Sequence, residues 1–433
     1  MTTNTWAVLR DRDAALYLTG VVISGFGTSA LWLVSGVWVK DLTGSDGLAA
    51  LCMLAMWAPT LAGPLLGALA DRFPRKPLLI TSSLFLAALL PVLLPVDSPG
   101  LVWLVLAVLF LYGATGVVND AAEAALVATT LPPRLLADFN GLRMAITEGM
   151  KLVSPLAGAG LYTLYGGPAV VLLDAGTFVL AAGVYAGLRV RGVDEGRPEA
   201  EPVPGTGLPE TGTVEREGAA GPLPTRLRRL LSPALAGARY LWAHPRLRPL
   251  VLAGGITMLC AGVNGALLYA VIDGLGHSPA FAGALYAVQG AGSVAVGLVS
   301  GRLSRWLGER RFAAWGIGVT AVAVALRALP YDAVALVSSA LIGAGLPCVL
   351  ITALTAVQRE TPDELLGRTV ATANTLVFAP NVIGLGLGAA LVELADYRPV
   401  LVALAAVWLS TALPLLRGGL RLRDGVARAE PTR

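Results

Sequence analysis

The sequence predicts an all-α membrane protein with twelve transmembrane helices. Of its 433 residues, 55% are hydrophobic and only 14% are Asp, Glu, Lys or Arg, whereas soluble proteins carry about 25% charged residues. A mean hydropathy of +0.71 also indicates a membrane protein. Together these values argue against a cytosolic enzyme, a secreted domain and a disordered chain. The net charge of +4 is small and gives no reason to expect a nucleic-acid partner.

Twelve apolar segments are long enough to cross a hydrocarbon core, which needs roughly 20 helical residues. The breaks between them carry turn or charged residues, as in Thr43-Gly44-Ser45-Asp46. No small-residue cleavage site precedes the first segment, so we expect a retained helix rather than a signal peptide. The predicted spans are 14–39, 47–70, 77–96, 100–128, 139–165, 168–189, 249–272, 279–301, 312–330, 333–357, 366–393 and 398–416.

Basic residues mark the connections that follow even-numbered spans, and Arg302 and Arg305 are examples. The connections that follow odd-numbered spans are mostly acidic or neutral, with Asp97 and Asp332 as examples. The positive-inside rule then places both termini in the cytoplasm. Arginine outnumbers lysine 29 to 3, which is typical of GC-rich bacteria, so we expect a multi-pass protein of a bacterial inner membrane.

The segment between spans six and seven divides the chain. Residues 1–190 are predicted to form one six-helix bundle, 249–417 a second, and 418–433 a cytoplasmic tail. Residues 191–248 are predicted to be a cytoplasmic linker, which begins with a stretch rich in Pro, Gly and Glu. Its second part, 226–242, alternates arginines with leucines and aromatic residues, which suits either a helix on the membrane surface or a solvated basic linker.

The connection from span two to span three reads Gly-Ala-Leu-Ala-Asp-Arg-Phe-Pro-Arg-Lys at 67–76. This resembles the signature between helices two and three of the major facilitator superfamily, from which Pro74 departs because glycine is usual there. A weak second copy at 297–302 has Gly301 in place of the aspartate, which fits two repeats about an axis along the membrane normal. The residues in register with the signature are Gly67, Asp71, Arg72, Arg75 and Lys76.

Three further stretches, 173–178, 237–245 and 367–368, look like the macrolide-efflux and enterobactin exporters of the drug:proton antiporter branch. The resemblance implies the major facilitator fold, with two pseudo-symmetric six-helix bundles around a central cavity. It also implies alternating access and export of a small molecule against inward proton flow.

The resemblance further implies a conformational latch, in which the basic residues of the signature meet an acid on span four. Asp120 and Glu123 lie near the cytoplasmic end of that span and suit this role. Two alternatives stay open. The basic residues of the signature could serve only to fix topology, and the two acids could instead carry protons.

Span five carries charges inside the membrane, where they are costly and need a reason. Glu148 and Lys151 lie one turn apart and form either a structural ion pair or a proton-coupling site. Span one contains no acid, so a proton carrier would have to come from spans four and five. Pro155 and Gly158 resemble the bend of an antiporter motif, although Ser154 replaces its first glycine.

Polar or amphipathic residues deep in the cavity-lining spans are candidates for substrate contacts, because such groups need partners in a membrane. Arg327, near the outer end of span nine, is expected to extend to the interface. The candidates for the substrate cavity are Trp32, Asn264, Gln289, Asn374 and Asn381.

The sequence therefore predicts a secondary transporter that exports a small apolar or amphipathic compound, such as a drug, antibiotic, natural product or siderophore. The proton gradient is the expected energy source, with no cofactor, and a monomer in the lipid bilayer is expected. Three isolated cysteines and two histidines give no metal-ligand spacing, and no nucleophile–base constellation indicates an enzyme. An importer or lipid mover of the same fold and a non-transporting receptor or scaffold are the alternatives.

Overall fold

The computed structural model describes residues 8–63, 65–66, 72–130, 133–188 and 237–416. Within these ranges the chain forms helices and no β-strand, and each predicted span overlaps at least one helix. The helices of the first half are α1 (Arg12–Thr43), α2 (Asp46–Trp57), α3 (Arg75–Leu89), α4 (Val102–Thr130), α5 (Pro133–Tyr165) and α6 (Gly167–Ala186). Those of the second half are α7 (Leu247–Ala266), α8 (Ala282–Leu307), α9 (Glu309–Leu326), α10 (Asp332–Glu360), α11 (Asp363–Leu394) and α12 (Tyr397–Ser410).

In the described part of the chain, nine helical stretches are long and apolar enough to cross a membrane. Helices α2, α5 and α9 are not among them. Helix α2 has 12 residues and continues as a 3₁₀ turn over Ala58–Ala62, α5 contains the charged residues of span five, and α9 begins with Glu309-Arg310-Arg311. Helix α7 is followed directly by a short helix, Leu268–Gly274, with Leu267 between the two.

The connection from α1 to α2 is a tight turn whose residues satisfy both helix ends. Gly44 adopts φ 72°, a left-handed conformation that glycine tolerates, and its N–H donates to the Lys40 carbonyl. The Ser45 hydroxyl then accepts from the N–H of Leu48 and caps α2. The turn predicted from the residues at 43–46 is thereby confirmed.

Helices α1–α6 pack mainly on one another, and so do α7–α12. The largest apolar cluster lies entirely within the second set and includes Trp408, whereas a separate cluster around Leu109 lies within the first. The two sets meet chiefly where α5 packs on α8 and where α2 packs on α11. A smaller apolar cluster, which includes Leu33 and Leu268, spans this junction.

Of the predicted linker, only residues 237–248 lie in the described part, and residues 237–243 are helical. The hydroxyl of Tyr240 donates to the Glu360 carbonyl at 2.8 Å, which ties this helix to the end of α10. The predicted surface helix at 226–242 lies mostly outside the described residues, as does the predicted tail at 418–433.

Candidate functional site

A cavity of about 190 Å³ lies between the two sets of helices. Helices α1 and α2 border it from the first set, and α7, α8, α10 and α11 border it from the second. Most of its surface is apolar, with a few polar groups, as is common for small-molecule sites. The residues that line it are Trp32, Met53, Trp57, Ala261, Asn264, Gly265, Leu268, Leu285, Tyr286, Gln289, Arg327, Ile342, Leu346, Asn381 and Leu385.

The rings of Trp32 and Tyr286 meet across this cavity. Their centroids are 4.7 Å apart with an interplanar angle of 61°, an edge-to-face arrangement that aromatic pairs favour. Trp32 belongs to α1 and Tyr286 to α8, so the contact joins the two halves of the chain at the cavity wall. A change in the relative position of the halves must therefore alter the cavity.

Close helix contacts fix the positions of the polar cavity residues. A side chain at Gly343 would collide with the backbone of Gln289, because an added Cβ would lie 1.8 Å from that carbonyl oxygen. An added Cβ at Gly262 would likewise lie 2.3 Å from the Asn381 carbonyl oxygen. These glycines let α10 approach α8, and α7 approach α11, closely enough to hold Gln289 and Asn381 at the cavity.

Of the five cavity candidates from the sequence, Trp32, Asn264, Gln289 and Asn381 all border the cavity. Asn374 does not. It is exposed and lies seven residues before Asn381 on α11, which is about 10 Å along the helix axis. Its helix is correctly placed along the cavity, but Asn374 lies too far toward the other end of α11.

Arg327 corrects an expectation from the sequence. Rather than extending to the membrane interface, its side chain is buried, with 3% exposed, and borders the cavity. Its Nη1 donates to Asn264 Oδ1 at 3.3 Å and its Nη2 to Ser339 Oγ at 2.7 Å. The sequence shows only that an arginine follows α9. It does not show that α7 and α10 both offer acceptors within reach.

At the end of the bundle where α1 leads into α2, charged groups from the two halves contact one another. Lys40 Nζ lies 2.9 Å from Asp46 Oδ1 and 2.5 Å from Asp273 Oδ2. Asp273 lies near the end of the short helix that follows α7. Glu393 Oε1, near the end of α11, accepts from the Ser45 hydroxyl at 2.6 Å. We call Lys40, Asp46, Asp273, Ser45 and Glu393 the gate cluster. Sequence reasoning missed this cluster, because its members lie in separate connections.

A second polar cluster lies inside the first set of helices. Glu123 Oε2, on α4, lies 3.3 Å from Arg143 Nη1 on α5, and Glu123 Oε1 accepts from the Tyr185 hydroxyl of α6 at 3.3 Å. The Glu123 side chain is 13% exposed and that of Arg143 39%. Asp120, the other acid of span four, is exposed.

The residues of the latch signature are only partly described. Gly67 and Asp71 lie outside the described residues. Arg72 and Arg75 are exposed, and Lys76 Nζ donates to the carbonyls of Ala186 at 2.8 Å and Leu188 at 2.6 Å. In this structure Lys76 thus contacts the end of α6.

The charged pair of span five, Glu148 and Lys151, lies within α5, but the side chains of both residues are outside the described part. Pro155 lies inside the same helix. Gly158 faces Ala30 of α1, where an added Cβ would lie 2.9 Å from the Ala30 Cβ. Helix α5 therefore packs closely on α1 at the predicted bend.

The chain matches the profile of the Major Facilitator Superfamily over residues 17–384 and again over 250–431. It belongs to this superfamily. The sequence signature and the helical fold lead to the same family, and a member of it is a transporter rather than an enzyme. The predictions of the family and of an all-α major facilitator fold are both confirmed, and the count of twelve spans stays a prediction.

Two curated relatives are named for macrolide efflux and for multidrug resistance. Macrolide efflux protein A of Streptococcus pyogenes is 27% identical over 176 residues, which cover 40% of this chain and 43% of that protein. The multidrug resistance protein MdtH of Yersinia pestis (strain Pestoides F) is 34% identical over 122 residues, 28% of this chain and 29% of the relative. The chain thus matches less than half the length of either.

Solved structures share the fold over nearly the whole chain. The nucleoside transporter NupG has a TM-score of 0.66 at 15% identity, with 93% of this chain and 99% of that one covered. A bacterial homologue of the iron transporter ferroportin, in an inward-facing state, has a TM-score of 0.64 at 17% identity, with 93% and 97% covered. At these identities the likeness establishes the fold and leaves the substrate open.

Proposed function

We propose that this transporter exports a small apolar or amphipathic compound by alternating access and proton antiport. The observation that carries the proposal is the largely apolar cavity between the two sets of helices, with a few polar groups in its wall. The relative named for macrolide efflux supports the direction of transport, and the names of both relatives support a drug, antibiotic or other natural product as substrate. A siderophore also fits this class.

The charge pattern supports an orientation. With both termini in the cytoplasm of a bacterial cell and the chain in its inner membrane, the gate cluster lies at the external face. The contacts of the gate cluster are formed in this structure, and in this proposal they separate the cavity from the outside. Export then requires Lys40 to separate from Asp273 while the halves close at the cytoplasmic end. The two halves, 1–190 and 249–417, act as the moving units of one monomer.

Glu123 is the proton carrier that the described geometry favours. A largely buried carboxylate beside a guanidinium has two stable arrangements, either ionised and paired or protonated and released. Protonation of Glu123 would free Arg143 and loosen the contact between α4 and α5. Glu148 is the second candidate, as an alternative to its structural pairing with Lys151.

The signature residues supply the cytoplasmic latch in this proposal. Asp71 and Arg72 lie between α2 and α3 in the chain, and Asp120 is an exposed acid on α4. Closing the cytoplasmic end would bring such groups together, and opening would part them. Lys76 would hold the end of α6 in both states.

The test is transport by the full-length protein in proteoliposomes of known orientation, with an imposed pH gradient and a panel of amphipathic antibiotics that includes anionic, neutral and cationic compounds. We expect substrate to move against the proton flow, from the cytoplasmic to the external face. Glu123→Gln should abolish gradient-driven movement but retain substrate exchange, and Glu148→Gln is compared in parallel. Asp97→Asn, in an exposed connection, is the control. Transport without any dependence on the gradient would contradict antiport, and movement in the opposite direction would indicate an importer.

A further inference from the structure

The guanidinium of Arg327 is a buried positive charge that no described acid neutralises. Its hydrogen-bond partners, Asn264 and Ser339, are both uncharged. Its Nε is fully buried without any hydrogen-bond partner. A cation removed from water and left without a counter-ion is unfavourable, and more so within a membrane. The arrangement is therefore expected to serve a purpose other than stability.

A second residue with an unsatisfied donor borders the same cavity from the other half of the chain. The indole N–H of Trp32, on α1, is buried without an acceptor. Both Arg327 and Trp32 line the cavity, and none of the described lining residues is Asp or Glu. Two unsatisfied donors and one unpaired positive charge thus border one space. A ligand with a negatively charged hydrogen-bond acceptor would complement these groups of the cavity wall.

The other residues that line the cavity indicate the chemistry of the uncharged part of a ligand. Met53, Leu285, Ile342, Leu346 and Leu385 present apolar side chains to the cavity. These side chains favour a ligand whose larger part is apolar, and the rings of Trp32 and Tyr286 offer aromatic faces beside it.

We infer that the transported compound is an amphipathic anion, with a carboxylate, sulfonate or phosphate group that pairs with Arg327 and an apolar body. This inference rests on the proposed function only in taking the cavity as the substrate site, and it specifies the class of substrate. The guanidinium presents a planar set of donors that matches an oxyanion, and Trp32 adds a donor from the opposite half. An anion would neutralise the buried charge, whereas a cation of the same shape would add a second one. The site therefore selects against cationic amphiphiles.

The test is binding of three compounds that share one aromatic body and differ in charge: naphthalene-1-acetate, naphthalene-1-acetamide and 2-(1-naphthyl)ethylamine. Affinities are measured by isothermal titration calorimetry on the full-length protein in lipid nanodiscs, so that no transport is required. We expect the carboxylate to bind roughly tenfold or more tightly than the amide, and the amine more weakly than both. Arg327→Gln should remove the preference for the carboxylate, and Arg327→Lys should restore part of it because it keeps the charge.

Arg398→Gln is the matched control, because Arg398 is an exposed arginine at the start of α12 and does not line the cavity. Melting temperatures of all variants show which of them fold. If Arg327→Gln does not fold, Trp32→Phe, which removes only the indole donor, tests the same preference. Equal binding of the three compounds, no saturable binding of any, or a preference unchanged in a folded Arg327 or Trp32 variant would overturn the inference. Gradient-driven export without charge preference would overturn the inference alone, whereas anion-selective binding without export would leave it and remove the proposed function.

Discussion

Lys40 Nζ lies 2.5 Å from Asp273 Oδ2, and this ion pair joins the end of α1 to the end of the short helix that follows α7. The same ammonium also contacts Asp46 at 2.9 Å and donates to the Gly44 carbonyl. The Lys40 side chain is only 7% exposed, although its partner Asp273 is 47% exposed. One buried cation thus pairs with two carboxylates from different halves. Its removal leaves two like charges facing each other.

Lys40→Met is predicted to open the end of the bundle that carries the gate cluster, which is the external end in the proposed orientation. The gate would then lose its central cation, and repulsion between Asp46 and Asp273 would favour the state in which they are apart. Cys52 reports on this change, because it is 1% exposed and lies on α2 behind the gate. We expect an impermeant maleimide added from outside to label Cys52 roughly tenfold faster in Lys40→Met, which corresponds to about 1.4 kcal/mol.

The control for this experiment is Asp97→Asn, an exposed acid in the connection before α4 that takes no part in the gate cluster. Its labelling rate should equal that of the unaltered protein. Identical protection of Cys52 in Lys40→Met would show that the apolar contacts around Leu33 and Leu268 hold this end closed without the ion pair.

Gly27→Ala is predicted to destabilise the first set of helices. An added Cβ at Gly27 of α1 would lie 2.2 Å from Asp174 Oδ1 and 2.4 Å from Thr177 Oγ1, both on α6. Asp174 is fully buried and accepts from the Tyr112 hydroxyl at 3.1 Å, so it has little freedom to move. A cost of about 1–3 kcal/mol is expected for such overpacking. A fall of several degrees in melting temperature in detergent would reveal it.

Gly176→Ala provides the comparison, since nothing lies within 4 Å of a Cβ built at this position on α6. That variant should melt at or slightly above the temperature of the unaltered protein, because alanine has the higher helix propensity. If both variants melt alike, the close contact of α1 with α6 at Gly27 is not as rigid as the structure implies.

Lys76→Met is predicted to loosen the end of α6. Lys76 donates to the carbonyls of Ala186 and Leu188, which have few other partners at a helix end. Loss of these charge-assisted bonds is expected to cost about 1 kcal/mol, because the site is partly exposed. Amide hydrogen exchange over residues 183–188 should accelerate. Arg75→Met, which removes an exposed basic residue of the same connection, should leave this exchange unchanged and so separates the contact from the general charge of the loop.

The sequence predicts the helices well and the polar contacts between them poorly. Apolar length and turn residues mark each span, because the bilayer imposes both. Trp32, Asn264, Gln289 and Asn381 could be placed at the cavity because polar groups within a span need partners. Arg327 could not, since its position at the end of α9 does not reveal where its side chain extends.

The gate cluster could not be found from sequence for a related reason. Lys40 and Asp273 are 233 positions apart, and each alone is an ordinary charged residue near the end of a span. Their pairing depends on how the two halves come together, which periodicity does not encode. Glu123 and Arg143 are a partial exception. Both are charged residues inside predicted spans, but the sequence does not reveal their mutual contact.

Arg143→Gln is predicted to destabilise the protein more than the double variant Glu123→Gln with Arg143→Gln. The single change leaves the Glu123 carboxylate largely buried beside α5 without its cation, with the uncharged hydroxyls of Tyr185 and Tyr17 as neighbours. The double change removes both charges and keeps side chains of similar size. Because Arg143 is more than a third exposed, the difference is expected to be about 1–2 kcal/mol rather than the full cost of breaking a buried pair. Melting temperatures of the two single variants and the double variant form a cycle that measures the coupling. Additive effects would mean that the pair contributes no coupling energy. The release of Arg143 could then not be the step that links protonation of Glu123 to the movement of α4 and α5.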